Sequence, residues 1–267
     1  MSLIDIVKNL EGKSDRERME LICSILRGER IDFERDPYST GENIIVYSGM
    51  KNEIGVGSHF DKVSGSPGAN DNASAVAVSI DILRRVKAKP LKNIGVRGFF
   101  FDQEEEDLTG SLYYARTYDI SGLIGLYNME MVGCGDKLAL WWSESLYEGR
   151  LVKTFEETCH ENGVLCFRFP DISKLLRNTG DHQSFNLAGL KEAFCITAIS
   201  DDDLKVAAKY LGSDADDSVI SERAYSEAPL FSHYHKPSDK SEHLNDKTLQ
   251  MVSDLLYESI CKIDANF

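Results

Sequence analysis

Three apolar stretches of this chain end in side chains that can hold a metal or move a proton. Residues 54–58 run into His59-Phe60-Asp61, residues 93–101 into Asp102-Gln103-Glu104-Glu105-Glu106, and residues 123–129 into Glu130. Asp71 opens a helical stretch soon after the first, and His235 stands downstream in Ser232-His233-Tyr234-His235-Lys236-Pro237. Imidazole and carboxylate are the usual protein ligands of zinc, and hydrolytic zinc sites keep a position open for water. Carboxylates packed this densely would repel one another unless a cation neutralised them. Each residue also has an ordinary explanation. Asp71 fits a helix N-cap, 104–107 a solvated loop or the acidic first turn of a helix, and His59 a half-buried imidazole with satisfied partners. Glu130 fits a charge at a strand end, and His235 a surface loop. What argues against five separate accidents is where the surrounding elements put them.

Those elements alternate. Ser14 and Glu17 form a capping box ahead of Met19, Ile22, Ile25 and Leu26 at helical spacing, with Gly28 at the end. Strands are expected at 43–47, 54–59, 93–101, 123–131, 137–142 and 191–198, with a short one through Cys166 and Phe167. Helices are expected at 71–88, stopped by Pro90, and at 108–118, 147–162 and 245–263. The last carries Leu249, Val252, Leu256 and Ile260 on one face. Near-continuous apolar strands between helices describe a three-layer α/β/α fold with a mixed, mainly parallel sheet covered on both faces. Ligands of such sheets sit beyond the carboxyl ends of the strands. His59, Glu104, Glu105 and Glu130 all fall there.

Composition excludes several classes of partner. The 267 residues carry a net charge of -14, which disfavours nucleic acid and anionic membranes, since phosphate binding needs Lys/Arg clusters. A hydrophobic content of 42% supports a packed core rather than disorder. No run approaches the about eighteen apolar residues that span a bilayer. The opening MSLIDIVKNLEGK has an early acid and no long apolar segment, unlike a signal peptide. The cysteines at 23, 134, 159, 166, 195 and 261 form no CxxC pair. Free thiols in a reducing cytoplasm are therefore expected, with the sequon Asn72-Ala73-Ser74 idle. No repeat or low-complexity linker interrupts the chain, so a single domain over 1–267 is expected.

The stretch Gly57-Ser58-His59-Phe60-Asp61 with Ser66-Pro67-Gly68-Ala69-Asn70-Asp71-Asn72-Ala73-Ser74 resembles bacterial leucyl aminopeptidases and glutamate carboxypeptidase II. So does Phe101-Asp102-Gln103-Glu104-Glu105 followed by Leu108-Thr109-Gly110-Ser111. Tyr127-Asn128-Met129-Glu130-Met131-Val132-Gly133 and Tyr234-His235-Lys236-Pro237 complete the set in the family's order. The resemblance covers about residues 50–265. The short gap between His59 and Asp71 distinguishes the chain from related peptidases that insert a lid or dimerisation domain there.

The resemblance implies a zinc exopeptidase fold with two divalent ions, most plausibly zinc. His59, Asp71 and Glu130 would hold one; Asp71, Glu105 and His235 would hold the other, about 3.5–4 Å away. Asp61 would orient His59 through its other ring nitrogen. Glu104 is similar to the family's general base, which takes a proton from water and returns it to the leaving amine. Asp181-His182-Gln183-Ser184-Phe185 is similar to a loop whose histidine lies beside the substrate, which gives His182 to the carbonyl or the intermediate; an ordinary loop histidine is the alternative. The bridging Asp of this family precedes a cis peptide, so Asp71–Asn72 is expected cis. The substrate would be a peptide with a free N-terminus. Two rivals belong to the same superfamily: a one-zinc glutaminyl cyclase and a metal-bearing but inactive binding module. Three departures stand out: Glu130 where Asp is usual, Glu106-Asp107 in place of small residues, and Gly180 where Ser is common. Trp141, Trp142 and Tyr147 could line an apolar pocket, although aromatic core packing is commoner. Neither the preferred N-terminal residue nor the oligomeric state is legible in the sequence.

Overall fold

Ser2 and Ser14 start the first two helices by the same device. Each side chain accepts an amide three residues on, where Asp5 or Glu17 reaches back to the serine amide. In the computed structural model, which describes residues 1–142, 149–170, 180–210 and 217–267, these caps open α1 (Leu3–Leu10) and α2 (Asp15–Gly28). α1 buries Leu3, Ile6, Val7 and Leu10 as one stripe.

The chain then forms β1 (Glu34–Pro37), β2 (Glu42–Val46) and β3 (Glu53–His59). All seven residues of β3 are buried, as expected of a strand with parallel neighbours on both sides. Those neighbours are β4 (Gly95–Phe101) and β5 (Leu123–Met129); β8 (Ala193–Ile199) continues in parallel beyond β5. β6 (Lys137–Trp142) pairs antiparallel with β8 and parallel with β7 (Cys166–Pro170). The sheet order is β1-β2-β4-β3-β5-β8-β6-β7. The four central strands thus share one direction and discharge at a common edge.

Side chains alternate across the strands. Val96 and Phe100 of β4 join one apolar cluster with α1, α2, α3 (Ser74–Ala88), α5 (Arg150–Glu161) and α9 (Asp246–Ala265). Phe99 and Phe101 point the other way, into a cluster with Tyr114 of α4 (Thr109–Thr117) and Phe185 of α6 (His182–Leu187). The expected three layers and mixed, mainly parallel sheet are present. A third cluster joins Trp141 and Ile199 to Ile220 and Ala224 of α8 (Asp217–Glu227), with Leu204 and Val206 of α7 (Asp201–Tyr210) packed on it.

The structure departs from the sequence expectation at informative places. The helix expected from 71 begins at Ser74, because Asp71 and Asn72 leave the helical region (φ/ψ -110/89 and -134/31) within an irregular turn over Ala69–Ala73. Their side chains serve the site instead. β1 is a polar edge strand ending in Pro37, the composition that protects edges and hides them from pattern reading. Tyr147 lies outside the described residues. No helix among the described residues is long and apolar enough to cross a membrane.

Candidate metal centre

His59 is the last residue of β3, buried to 1% exposure. Its Nε2 stands 3.1 Å from Glu130 Oε2, 3.3 Å from Asp71 Oδ1 and 3.8 Å from Glu104 Oε2. The other oxygen of Asp71, Oδ2, lies 3.2 Å from His235 Nε2, which is also 3.0 Å from Glu105 Oε2. Asp71 therefore offers one oxygen to each of two imidazole-centred groups. Potential ligand atoms of His59, Asp71 and Glu105 lie within 4.8 Å of one another, as do those of His59, Glu104 and Glu130. The five residues expected to hold metal, with Glu104, converge at the carboxyl edge of the sheet. The Asp71–Asn72 peptide is cis, as the resemblance implied.

The supports are more extensive than the sequence suggested. Asp61 accepts at Oδ1 from His59 Nδ1 (3.2 Å) and from the Glu104 amide (3.1 Å), while its Oδ2 accepts from the Glu105 amide (3.1 Å). One carboxylate thus sets the ring of one candidate ligand and the backbone of the Glu104-Glu105 pair. Asn72 Nδ2 donates to Glu130 Oε2 (2.6 Å) and Asn128 Nδ2 to Glu130 Oε1 (3.1 Å). Asp239, nearly buried, accepts the amides of Asn70 and Asp71 at 2.8 and 3.2 Å. Asn43 is fully buried; its Oδ1 accepts from the Asp102 amide (3.1 Å) and its Nδ2 donates to Gly110 O (3.1 Å), closing the loop that carries the glutamate pair. Gly110 is needed for that closure, since a Cβ there would sit 2.2 Å from Asp102 O. Three of the turns that carry candidate ligands pass through left-handed backbone at Gln103, Met131 and His235 (φ 56, 51 and 57), a conformation uncommon outside glycine and concentrated at functional sites.

The electrostatics call for positive charge. Burial alone would lower the His59 pKa, but Glu130 and Glu104, with Asp61 and Asp71, raise it well above the ordinary value. Burial likewise opposes His235, yet Asp71 and Glu105 lift it to about 9. Burial would raise Asp71, but its two histidines hold it well below the usual carboxylate range. Glu105 is pushed to about 7 by burial and by Asp71. Glu104 is raised well above its ordinary value by burial, against the pull of His59 and with Glu130, Asp181 and Glu105 adding to the rise. The donor set fits a divalent cation. His235 Nε2 approaches two carboxylate oxygens with hydrogen-bond geometry to neither, and Glu105 Oε1 is buried without a partner among the described residues, as when lone pairs converge on a common point.

A narrow cleft opens over these groups, lined among others by Trp141, Gly180, Thr197, Phe231 and Tyr234. Trp141 and Phe231 also line an adjoining apolar cavity with Phe169 and Leu230. His182 is placed differently from the other expected site residues. It is fully buried, has both ring nitrogens unpartnered among the described residues, and does not line the cleft. Burial holds its pKa down at about 3, so it stays neutral. Its neighbour Asp181 is lifted to about 8 by burial, against the pull of His59 and with Glu130 adding to the rise.

Two of the departures touch each other. Gly180 has φ 108, and a Cβ there would lie 2.9 Å from Asn128 Nδ2, 3.0 Å from Glu130 Oε1 and 3.3 Å from Glu130 Cγ. The extra methylene of Glu130 takes space that a serine at 180 would need. With Glu130 in the ligand role expected of it, Gly180→Ser should weaken zinc binding strongly here and less in a Glu130→Asp background. A double-mutant cycle on zinc affinity should give a coupling of about 0.5–3 kcal/mol; additive effects would show the two positions to be independent.

A profile of Peptidase family M28 matches residues 43–260. The chain belongs to Peptidase family M28. It is 26% identical to aminopeptidase YwaD of Bacillus subtilis (strain 168) over 235 residues, which are 84% of this chain and 46% of that protein. BSAP, a zinc aminopeptidase from Bacillus subtilis, superposes with a TM-score of 0.61 at 21% identity, covering 84% of this chain and 50% of that one. Glutaminyl cyclase of Porphyromonas gingivalis superposes with a TM-score of 0.75 at 15% identity, covering 98% and 97%. The chain thus spans about half the length of these two aminopeptidases. At these identities the superpositions speak for the fold.

Proposed function

We propose that the chain is a metalloaminopeptidase of the leucyl aminopeptidase type, using two divalent ions, most plausibly zinc. The observation that carries the reading is Asp71, which turns Oδ1 to His59 at 3.3 Å and Oδ2 to His235 at 3.2 Å. One ion would be held by His59, Asp71 and Glu130, the other by Asp71, Glu105 and His235. When bound, such a pair lowers the pKa of a water and polarises a scissile carbonyl. Glu104 is next to His59 and free of a ligand role in this assignment; its carboxylate takes the water's proton and returns it to the leaving amine. Asp61 keeps His59 and the Glu104-Glu105 backbone in register. His182, which the resemblance set beside the substrate, is given no role at the carbonyl, because it is fully buried and does not line the cleft. The acidic cleft favours a substrate with a cationic N-terminus. We take residues 1–267 to form one catalytic domain without an inserted lid, working in the cytoplasm.

The test is hydrolysis of a panel of aminoacyl chromophores. Turnover should vanish with chelator, return with zinc, and fail on substrates whose α-amine is acetylated. Cyclisation of N-terminal Gln without peptide hydrolysis would favour the cyclase reading. Inactivity of the zinc-loaded chain across the panel would favour a binding module.

A further inference from the structure

One side chain beside the metal centre comes from α2, ahead of the residues that match the family profile. Arg18 is fully buried. Its guanidinium makes four hydrogen bonds, all to backbone carbonyls: Nε to Leu10 O (3.2 Å), Nη1 to Phe60 O (3.1 Å), and Nη2 to Pro67 O and Gly68 O (2.7 Å each). Taking a charge out of water is expensive, and a methionine would fill similar space at less cost. Phe60 directly follows His59, and Pro67 and Gly68 lead into Asp71. The fork therefore grips both ends of the loop joining two candidate ligands and ties it to the end of α1. Gly68 is shaped to this contact: its φ is 66, and a Cβ there would lie 2.4 Å from Arg18 Nη2. Asp239 holds the following amides, Asn70 and Asp71. The fields of Asp15, Asp71, Asp239 and Asp61 favour the cation, while burial lowers its pKa.

We propose that Arg18 is a positioning residue of the metal centre: its planar fork fixes the backbone between His59 and Asp71 in the shape that presents both ligands, and so sets metal affinity as well as stability. The inference rests on the reading of His59 and Asp71 as ligands. Lysine would replace it only in part, because an ammonium is a point donor without the fork.

The test measures zinc affinity of the full chain, stripped of metal, by competition with a chromophoric chelator, beside thermal unfolding of the metal-free protein. Arg18→Met should weaken zinc binding about 10–100-fold, the usual effect of removing a group that holds ligands in place. Arg18→Lys should recover only part of it. Ile22→Ala, a buried truncation on the same helix, should lower the unfolding temperature and leave zinc affinity unchanged. Should Arg18→Met fail to fold, Gly68→Ala leaves Arg18 in place but presses on the fork, on Asp71 O and on the left-handed backbone of the same loop, and the same loss is expected. Zinc binding as tight as in the unmodified chain for folded Arg18→Met or Gly68→Ala overturns the proposal, as does an equal affinity loss in Ile22→Ala. An unmodified chain that binds no zinc overturns the metal-centre reading itself, and the role of Arg18 with it.

Discussion

Glu104→Gln is expected to lower turnover by about 10²–10⁴-fold, the reach of general acid–base catalysis, with bound zinc and fold staying near normal. The substitution preserves size and removes the base. The amide of residue 104 remains held by Asp61, so the loop keeps its anchor. Burial and the neighbouring acids raise the Glu104 carboxyl well above its ordinary value against the pull of His59, which suits a group that must accept a proton and release it again. Glu105→Gln separates the two jobs. Glu105 Oε2 faces His235 at 3.0 Å, so the amide should cost metal rather than the base, with activity partly recovered by excess zinc. Metal content measured beside turnover distinguishes the pair. A Glu104→Gln enzyme as fast as the unmodified one removes the base assignment.

Asp71→Asn should empty the centre more thoroughly than any other single change. The carboxylate presents equivalent oxygens in two directions, whereas an amide presents one oxygen and one NH2. Whichever way the amide turns, one of the two sites loses a carboxylate oxygen and meets an NH2 group that cannot ligate a cation. Bound zinc should fall to one ion or fewer per chain, with turnover lost beyond the about 10–100-fold seen when outer partners of metal ligands are removed. Excess zinc should not restore it. An Asp71→Asn chain that keeps two ions and normal turnover would show that the residue does not bridge.

The parts of the site that were legible in the sequence are those tied to strand ends. β3 and β5 are apolar runs whose direction, once a parallel sheet is inferred, places His59 and Glu130 at one edge; β4 leads into the Glu104-Glu105 loop in the same way. The supports were not legible. Asp239 meets the Asn70 and Asp71 amides across 169 and 168 residues, and Arg18 meets Gly68 across 50, distances over which local pattern carries no information. Asn72 and Asn128 sit inside quoted motifs, but which carboxylate they grip depends on a turn that leaves the helical region at Asp71. α1 carried a readable signal that was not used, the Ser2/Asp5 capping box with Leu3, Ile6, Val7 and Leu10 at helical spacing. α6 is six residues long, too short to show a period, and it buries His182 fully, away from the place beside the substrate that the resemblance implied.

The central claim, two ions sharing Asp71 in an aminopeptidase, is tested most directly by titrating zinc into the chelator-stripped chain while following both bound metal and hydrolysis of an aminoacyl chromophore. Binding should saturate at two equivalents per chain, with full turnover reached only as the second site fills. Saturation at one equivalent with full activity, or two equivalents bound with no hydrolysis of any free-amine substrate, would contradict it.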